Sequence, residues 1–138
     1  MNPLLTEDEP RSRELAYQMY PKRRSPLSEF DDVNQEITDI AELPAVEVIG
    51  RYAVELLSVA AVQCGLAEDG RRGDLDEARK LITAAAGLIT AAAPDLGDHH
   101  ARPLREALRQ LQLAFREASV IQDAPGAGPG EKFTGPVN

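Results

Sequence analysis

Between Pro44 and Leu66 the chain reads PAVEVIGRYAVELLSVAAVQCGL, and this run limits what the sequence can fold into. Its only charges are Glu47, Arg51 and Glu55, four residues apart, so they draw one narrow polar line along a helix. Almost everything else is apolar, including Val46, Val48, Ile49, Tyr52, Val54, Leu56, Leu57, Val59, Val62 and Cys64. A surface helix carries one apolar stripe, whereas a helix apolar nearly all round is wrapped by neighbours. The run therefore predicts a central, buried helix over about residues 45–65.

Two further helices follow from periodicity and caps. The stretch AEDGRRGD reads as a surface loop. Asp74 then offers an N-cap, with Glu77 in the capping-box position and Asp76 complementing the helix dipole. Leu75, Ala78, Ile82, Ala85, Ile89 and Ala92 recur at alternating steps of three and four, the spacing of bundle packing over 74–93. A third helix, about 103–121, has its seam at Leu104, Leu108, Leu111, Phe115 and Ala118, broadened by Ala107, Ala114 and Ile121. Arg105, Arg109, Gln112, Arg116 and Glu117 fall on its outer faces. Its start is open between Asp98 as a cap and Pro103 as the first helical residue. Short connections make this an all-α, antiparallel up-down-up three-helix bundle.

The flanks differ from the bundle. Residues 1–28 are proline-punctuated and charged, which predicts a disordered arm. Within it YQMYPKRR sets Tyr17 and Tyr20 beside Lys22, Arg23 and Arg24. That cluster reads either as part of a solubilising arm or as a short motif that docks on an acidic partner or an RNA. Residues 29–43 are acidic, yet Phe30, Val33, Ile37, Ile40 and Leu43 keep helical spacing, which predicts a short helix at 30–42. From Asp123 onward DAPGAGPGEKFTGPVN has no apolar periodicity and reads as a flexible tail. The organisation expected is an arm at 1–28, a helical domain at 29–122 and a tail at 123–138.

Charge and residue inventory argue against several functions. The formal charge is −8, and neither the first 44 residues nor the bundle region is net basic. Nucleic-acid binding is disfavoured, because phosphate neutralisation calls for a concentrated positive surface. Arg102, Arg105, Arg109 and Arg116 share roughly one helix face, readable as a phosphate-facing ridge or as a solvated exterior. The single cysteine, Cys64, forbids an intramolecular disulfide and reads as a small buried hydrophobe. His99 and His100 are adjacent, so on a helix they point about 100° apart and do not chelate from one face. No metal or cofactor site is expected. Ser58 and Tyr52 have no base nearby in sequence, and GRRGDLD lacks the spacing of a phosphate loop. The central run is long enough to span a bilayer. Each of its charges would nonetheless cost roughly 2.5–3.5 kcal/mol at the membrane centre, so no membrane association is expected. The N-terminus has no secretion-signal pattern, which makes the cytoplasm the expected location.

The order DIAELPAVEVIGRYAVELLSVAAVQCGL, then DLDEARKLITAAAGLI, then LREALRQLQLAFREAS resembles the domain of unknown function 1844 family over residues 36–119. The acidic lead-in and the PAVEVI opening are similar to its actinobacterial branch, whereas His99–His100 and Pro103 depart from the acidic start of the family's third helix. The resemblance implies a helical fold, a bacterial cytoplasmic setting and genes near those for translation initiation factor and ribosomal proteins. It supplies no site residues and no activity.

The function expected is that of a non-enzymatic helical interaction protein that self-associates as a homodimer or higher oligomer. Its partner would be an unidentified protein, translation-associated by the resemblance. The candidate contact residues are Glu47, Arg51 and Glu55, as a solvated stripe or as a register across a dimer interface, together with Tyr17, Tyr20, Arg23 and Arg24. The alternative is a small-molecule-binding or enzymatic protein with a pocket between helices at an oligomer interface, where Tyr52, Ser58 or Cys64 would converge. Self-association is expected because the central helix has more apolar surface than two narrow-seamed helices cover; the rival is a monomer in which residues 30–42 complete a fourth side.

Overall fold

In a computed structural model the backbone is described from residue 26 to residue 138, and side chains from residue 31. The chain divides into one unit ending at Leu43 and a second, Pro44–Asn138. Among the described residues every regular element is a helix. Most of the expected arm at 1–28, including Tyr17, Tyr20, Arg23 and Arg24, lies outside them.

The first unit contributes α1, Pro26–Ala41. It starts earlier than the expected 30–42, with Pro26 in the opening turn, where a missing N–H removes no helical bond. On its apolar edge Val33 and Ile37 are both exposed. Local side-chain bonds support it: the Gln35 amide donates to Asp39, and the Thr38 hydroxyl to the Asn34 carbonyl.

The second unit is built on α2, Ala45–Gln63, α3, Leu75–Leu96, and α4, Asp98–Ala118, which pack pairwise as a three-helix bundle. The α2 helix ends with the N–H of Leu66 on the Ala61 carbonyl and that of Gly65 on the Val62 carbonyl. These are the paired bonds that satisfy a helix's last carbonyls. Asp74 caps α3 as expected, accepting from the N–H groups of Asp76 and Glu77. The reciprocal half of the capping box is replaced: the Asp74 N–H donates to the Gln63 side chain, and Glu77 pairs with Lys80.

Two helix boundaries turn on a proline, one differing from expectation and one settling a start that was open. The α3 helix runs past Pro94 to Leu96, and α4 begins at Asp98 with Pro103 inside it. Proline removes one helical donor, here toward the carbonyls of Thr90 and His99, both exposed residues where water can substitute. The added turns bury Leu96 and Ala101, which offsets the loss. The two helices consequently meet at the single residue Gly97, whose φ of 79° is reached at little cost only by glycine. At its other end α4 stops at Ala118, and Ile121, expected on the seam, is 88% exposed.

The most enclosed helix is α3, not α2. Its face Ala78, Ile82, Ala85, Ala86, Ile89, Ala92, Ala93 and Leu96 is buried, matching the expected seam with extra alanines. The α2 helix buries only Ala53, Leu57 and Ala60 along its length, and Tyr52, Val54 and Val59 remain exposed. The alanines explain the exchange of roles. Small side chains let neighbours approach α3 from several sides, whereas the bulkier α2 is contacted along one stripe.

The expectation of a flexible tail from residue 123 is also corrected. Residues 129–138 fold back over α3 and α4 and include a short helix, α5, Glu131–Thr134. Glu131 and Val137 are both buried. The physical reason lies in hydrogen bonding. The Glu131 carboxylate accepts from the N–H of Gly126 at 3.1 Å and from that of Val137 at 3.2 Å. A glycine-rich stretch is thereby closed on itself without apolar periodicity.

Candidate interaction surfaces

Helical geometry places Val48, Tyr52 and Val59 in one row on α2, to one side of the buried Ala53, Leu57 and Ala60 and next to the polar line of Arg51 and Glu55. Tyr52 is 43% exposed and Val59 49% exposed, and Leu66, just past the helix end, is 57% exposed. Isolated exposed apolar residues are ordinary, but a row of them on one helix face marks a contact surface. The expected polar line borders this row. Arg51 pairs with Glu55 at 3.5 Å, both side chains substantially exposed, and Glu47 is exposed one turn earlier. Such a pair stabilises a helix by only a few tenths of a kcal/mol.

The expected trio Tyr52, Ser58 and Cys64 does not converge. Tyr52 lies on the exposed face, the Ser58 hydroxyl donates back to the Val54 carbonyl at 2.8 Å, and Cys64 joins the core. Burial pushes the Cys64 thiol up, which keeps it protonated and unreactive. His99 and His100 are exposed and stack edge-on at 5.2 Å, and no group of three metal-ligating side chains occurs among the described residues.

A second surface forms where the tail lies on the bundle, through residues expected on the outer faces of α4. Gln112 is 2% exposed, and its amide donates to the Pro129 carbonyl and to the Thr134 hydroxyl, both at 3.0 Å. Arg109 donates to the Asn138 carbonyl at 2.7 Å, and Arg116 to the Val137 carbonyl at 3.2 Å. The arginine ridge is thus largely engaged: these two hold the tail, and Arg102 pairs with Asp98. On α3, Thr83 accepts from the Gly130 N–H, and the Phe133 ring lies over Gly87. The legible signal was the register of Gln112, which shares its turn with Leu108, Leu111 and Phe115 on the apolar face.

Between tail and helices a cleft of about 340 Å³ remains, walled by Ile89, Thr90, Arg105 and Arg109 on one side and Thr134 and Pro136 on the other. Arg79 closes the far side of the linker with a two-pronged bond to Asp123, 3.1 Å to each oxygen, while stacking over Phe115.

These features define a small all-α bundle with an exposed helix face and a docked C-terminal segment. Residues 46–117 match the profile of the domain of unknown function 1844, and the chain belongs to that family. Comparison with curated proteins and with solved structures finds no match. No helix among the described residues is long and apolar enough to cross a membrane.

Proposed function

We propose that the chain is a non-enzymatic interaction protein that self-associates through the outward face of α2, as a homodimer at least. The observation that carries this reading is the row of exposed Tyr52 and Val59 with half-buried Val48 beside them, extended by exposed Leu66. Covering the exposed half of such a side chain stabilises by roughly 1 kcal/mol. With both copies contributing, burial of the three most exposed residues supplies on the order of 6 kcal/mol, and Glu47, Arg51 and Glu55 set the register of the contact along its edge. The arm bearing Tyr17, Tyr20, Arg23 and Arg24 would then reach a further protein, and the family resemblance makes a translation-associated partner the natural class. Light scattering coupled to size exclusion tests the self-association over a range of concentrations: mass rising from one chain toward two supports it, and a constant single-chain mass overturns it.

A second reading rests on the cleft beside the tail. Arg105 and Arg109 with Thr90 and Thr134 over an apolar floor suit a small anion with an apolar body. A thermal shift with phosphate and with short-chain carboxylates, lost in Arg105→Ala, would favour it; no shift with either would remove it.

A further inference from the structure

The contacts under the tail have the form of a peptide-binding site already filled by its own chain. Gln112, Arg109 and Arg116 lie on α4 at steps of three and four, and all donate to backbone carbonyls of the segment above them. Donors aimed at carbonyls recognise a segment by its backbone, and pockets for its side chains add selectivity. The side-chain contacts here are Val137, buried, and Phe133, whose ring lies about 3.2 Å from where a Cβ on Gly87 would stand. Gly130 fits because of its size: a Cβ there would come within 2.6 Å of Ala86.

The segment is also built to move as a piece. The bonds from Glu131 to Gly126 and Val137 are internal to it and travel with it. What tethers it is short and exposed. Val120 is fully exposed, Ile121 nearly so, and Ala124 and Pro125 follow the Arg79–Asp123 pair at the surface. With that pair broken, residues 119–125 span up to about 23 Å when extended, enough to carry the segment onto a neighbouring copy. Every bond made in cis is available unchanged in trans, so exchange between copies replaces the contacts it breaks.

We propose that the groove between α3 and α4 is a peptide-docking site whose occupant in trans is the C-terminal segment of a second copy of this chain. The site does not depend on the α2 face, and it selects a segment with one helical turn carrying an aromatic residue, then Thr-Gly-Pro and a small aliphatic residue.

The test opens the groove without altering it. Val137→Asp places a carboxylate where Val137 is buried and drives the tail off; Phe133→Ala, at a half-exposed ring, serves the same purpose should the first variant lose helical circular dichroism. A fluorescein-labelled peptide of residues 124–138 is titrated into the full-length variant and followed by anisotropy. Saturable binding is expected, at least about fivefold weaker when Gln112→Ala is added, since two hydrogen bonds are removed. Native mass spectrometry of a mixture of the Val137→Asp chain and the Gln112→Ala chain should then show heterocomplexes in excess of a statistical mixture, because one supplies an open groove and the other an intact tail. No saturable binding by a helical variant, binding indifferent to Gln112, or a purely statistical mixture each overturns the proposal. Association through α2 alone gives the statistical mixture, so the two readings fail separately.

Discussion

The side-chain amide of Gln112 sits 3.0 Å from the carbonyl oxygen of Pro129, joining the middle of α4 to a segment seventeen residues further on. Gln112 is among the few buried polar side chains of the described residues, and its second proton goes to Thr134. A buried amide satisfied in this way fixes one arrangement of the segment it holds, because an unsatisfied alternative costs about 1–3 kcal/mol.

Gln112→Ala should therefore lower stability by about 1–3 kcal/mol and expose the tail. Urea unfolding reads the first. Hydrogen exchange reads the second, with the amides of Gly130 and Val137 exchanging faster while those of α3 stay protected.

Gly130→Ala should act at the same contact from the opposite side. Its φ of 73° and the 2.6 Å approach to Ala86 leave no room for a methyl group. A cost of about 1–3 kcal/mol is expected from strain and overpacking. Calorimetry would show a lower Tm for this variant; an unchanged Tm would mean the tail is not seated on α3.

Core and surface positions should separate sharply. Ile82 is fully buried, so Ile82→Ala should cost about 2–5 kcal/mol. Val59→Ala, at an exposed position on α2, should change the stability of the monomer by no more than about 0.5 kcal/mol. Denaturation at dilute concentration measures both.

Cys64 gives a pH dependence of definite sign. Burial raises its pKa above the ordinary 9.0, so the folded thiol keeps its proton while the unfolded one loses it. That stability is complete below about pH 9, near the unfolded value, and is lost as pH rises from there through the folded value. Unfolding curves between pH 8 and 10.5 should fall less steeply in Cys64→Ala than in the parent chain. The same burial predicts slow reaction of Cys64 with a thiol reagent until the chain is unfolded.

What the sequence disclosed follows from the range of the forces involved. The α3 seam from Ala78 to Ala92 and the α4 seam from Leu104 to Phe115 were legible because helical periodicity is local. Asp74 was legible as a cap for the same reason. The extent of α2's burial was not, since its circumference is apolar whether or not a neighbour covers it; only packing distinguishes Leu57 from Val59. The tail was illegible for a different reason. Its order comes from Glu131 reaching Gly126 and Val137 and from Gln112 reaching Pro129, bonds between polar groups that leave no periodic trace. Pro94 misplaced one boundary and Pro103 left another open, because only burial of Leu96 and Ala101 decides against the local preference. The expected contact residues split likewise: Arg51 and Glu55 pair along an exposed edge, while Tyr17, Tyr20, Arg23 and Arg24 fall outside the described residues.

Self-association through α2 is most directly tested by sedimentation equilibrium of the full chain beside Val59→Asp, from low micromolar to several hundred micromolar. A mass approaching that of two chains in the parent is predicted, with the variant remaining at one chain and keeping its helical circular dichroism. A parent chain that stays at one mass throughout, or a variant that dimerises equally well, would contradict the assignment of Val48, Tyr52 and Val59 to a subunit contact.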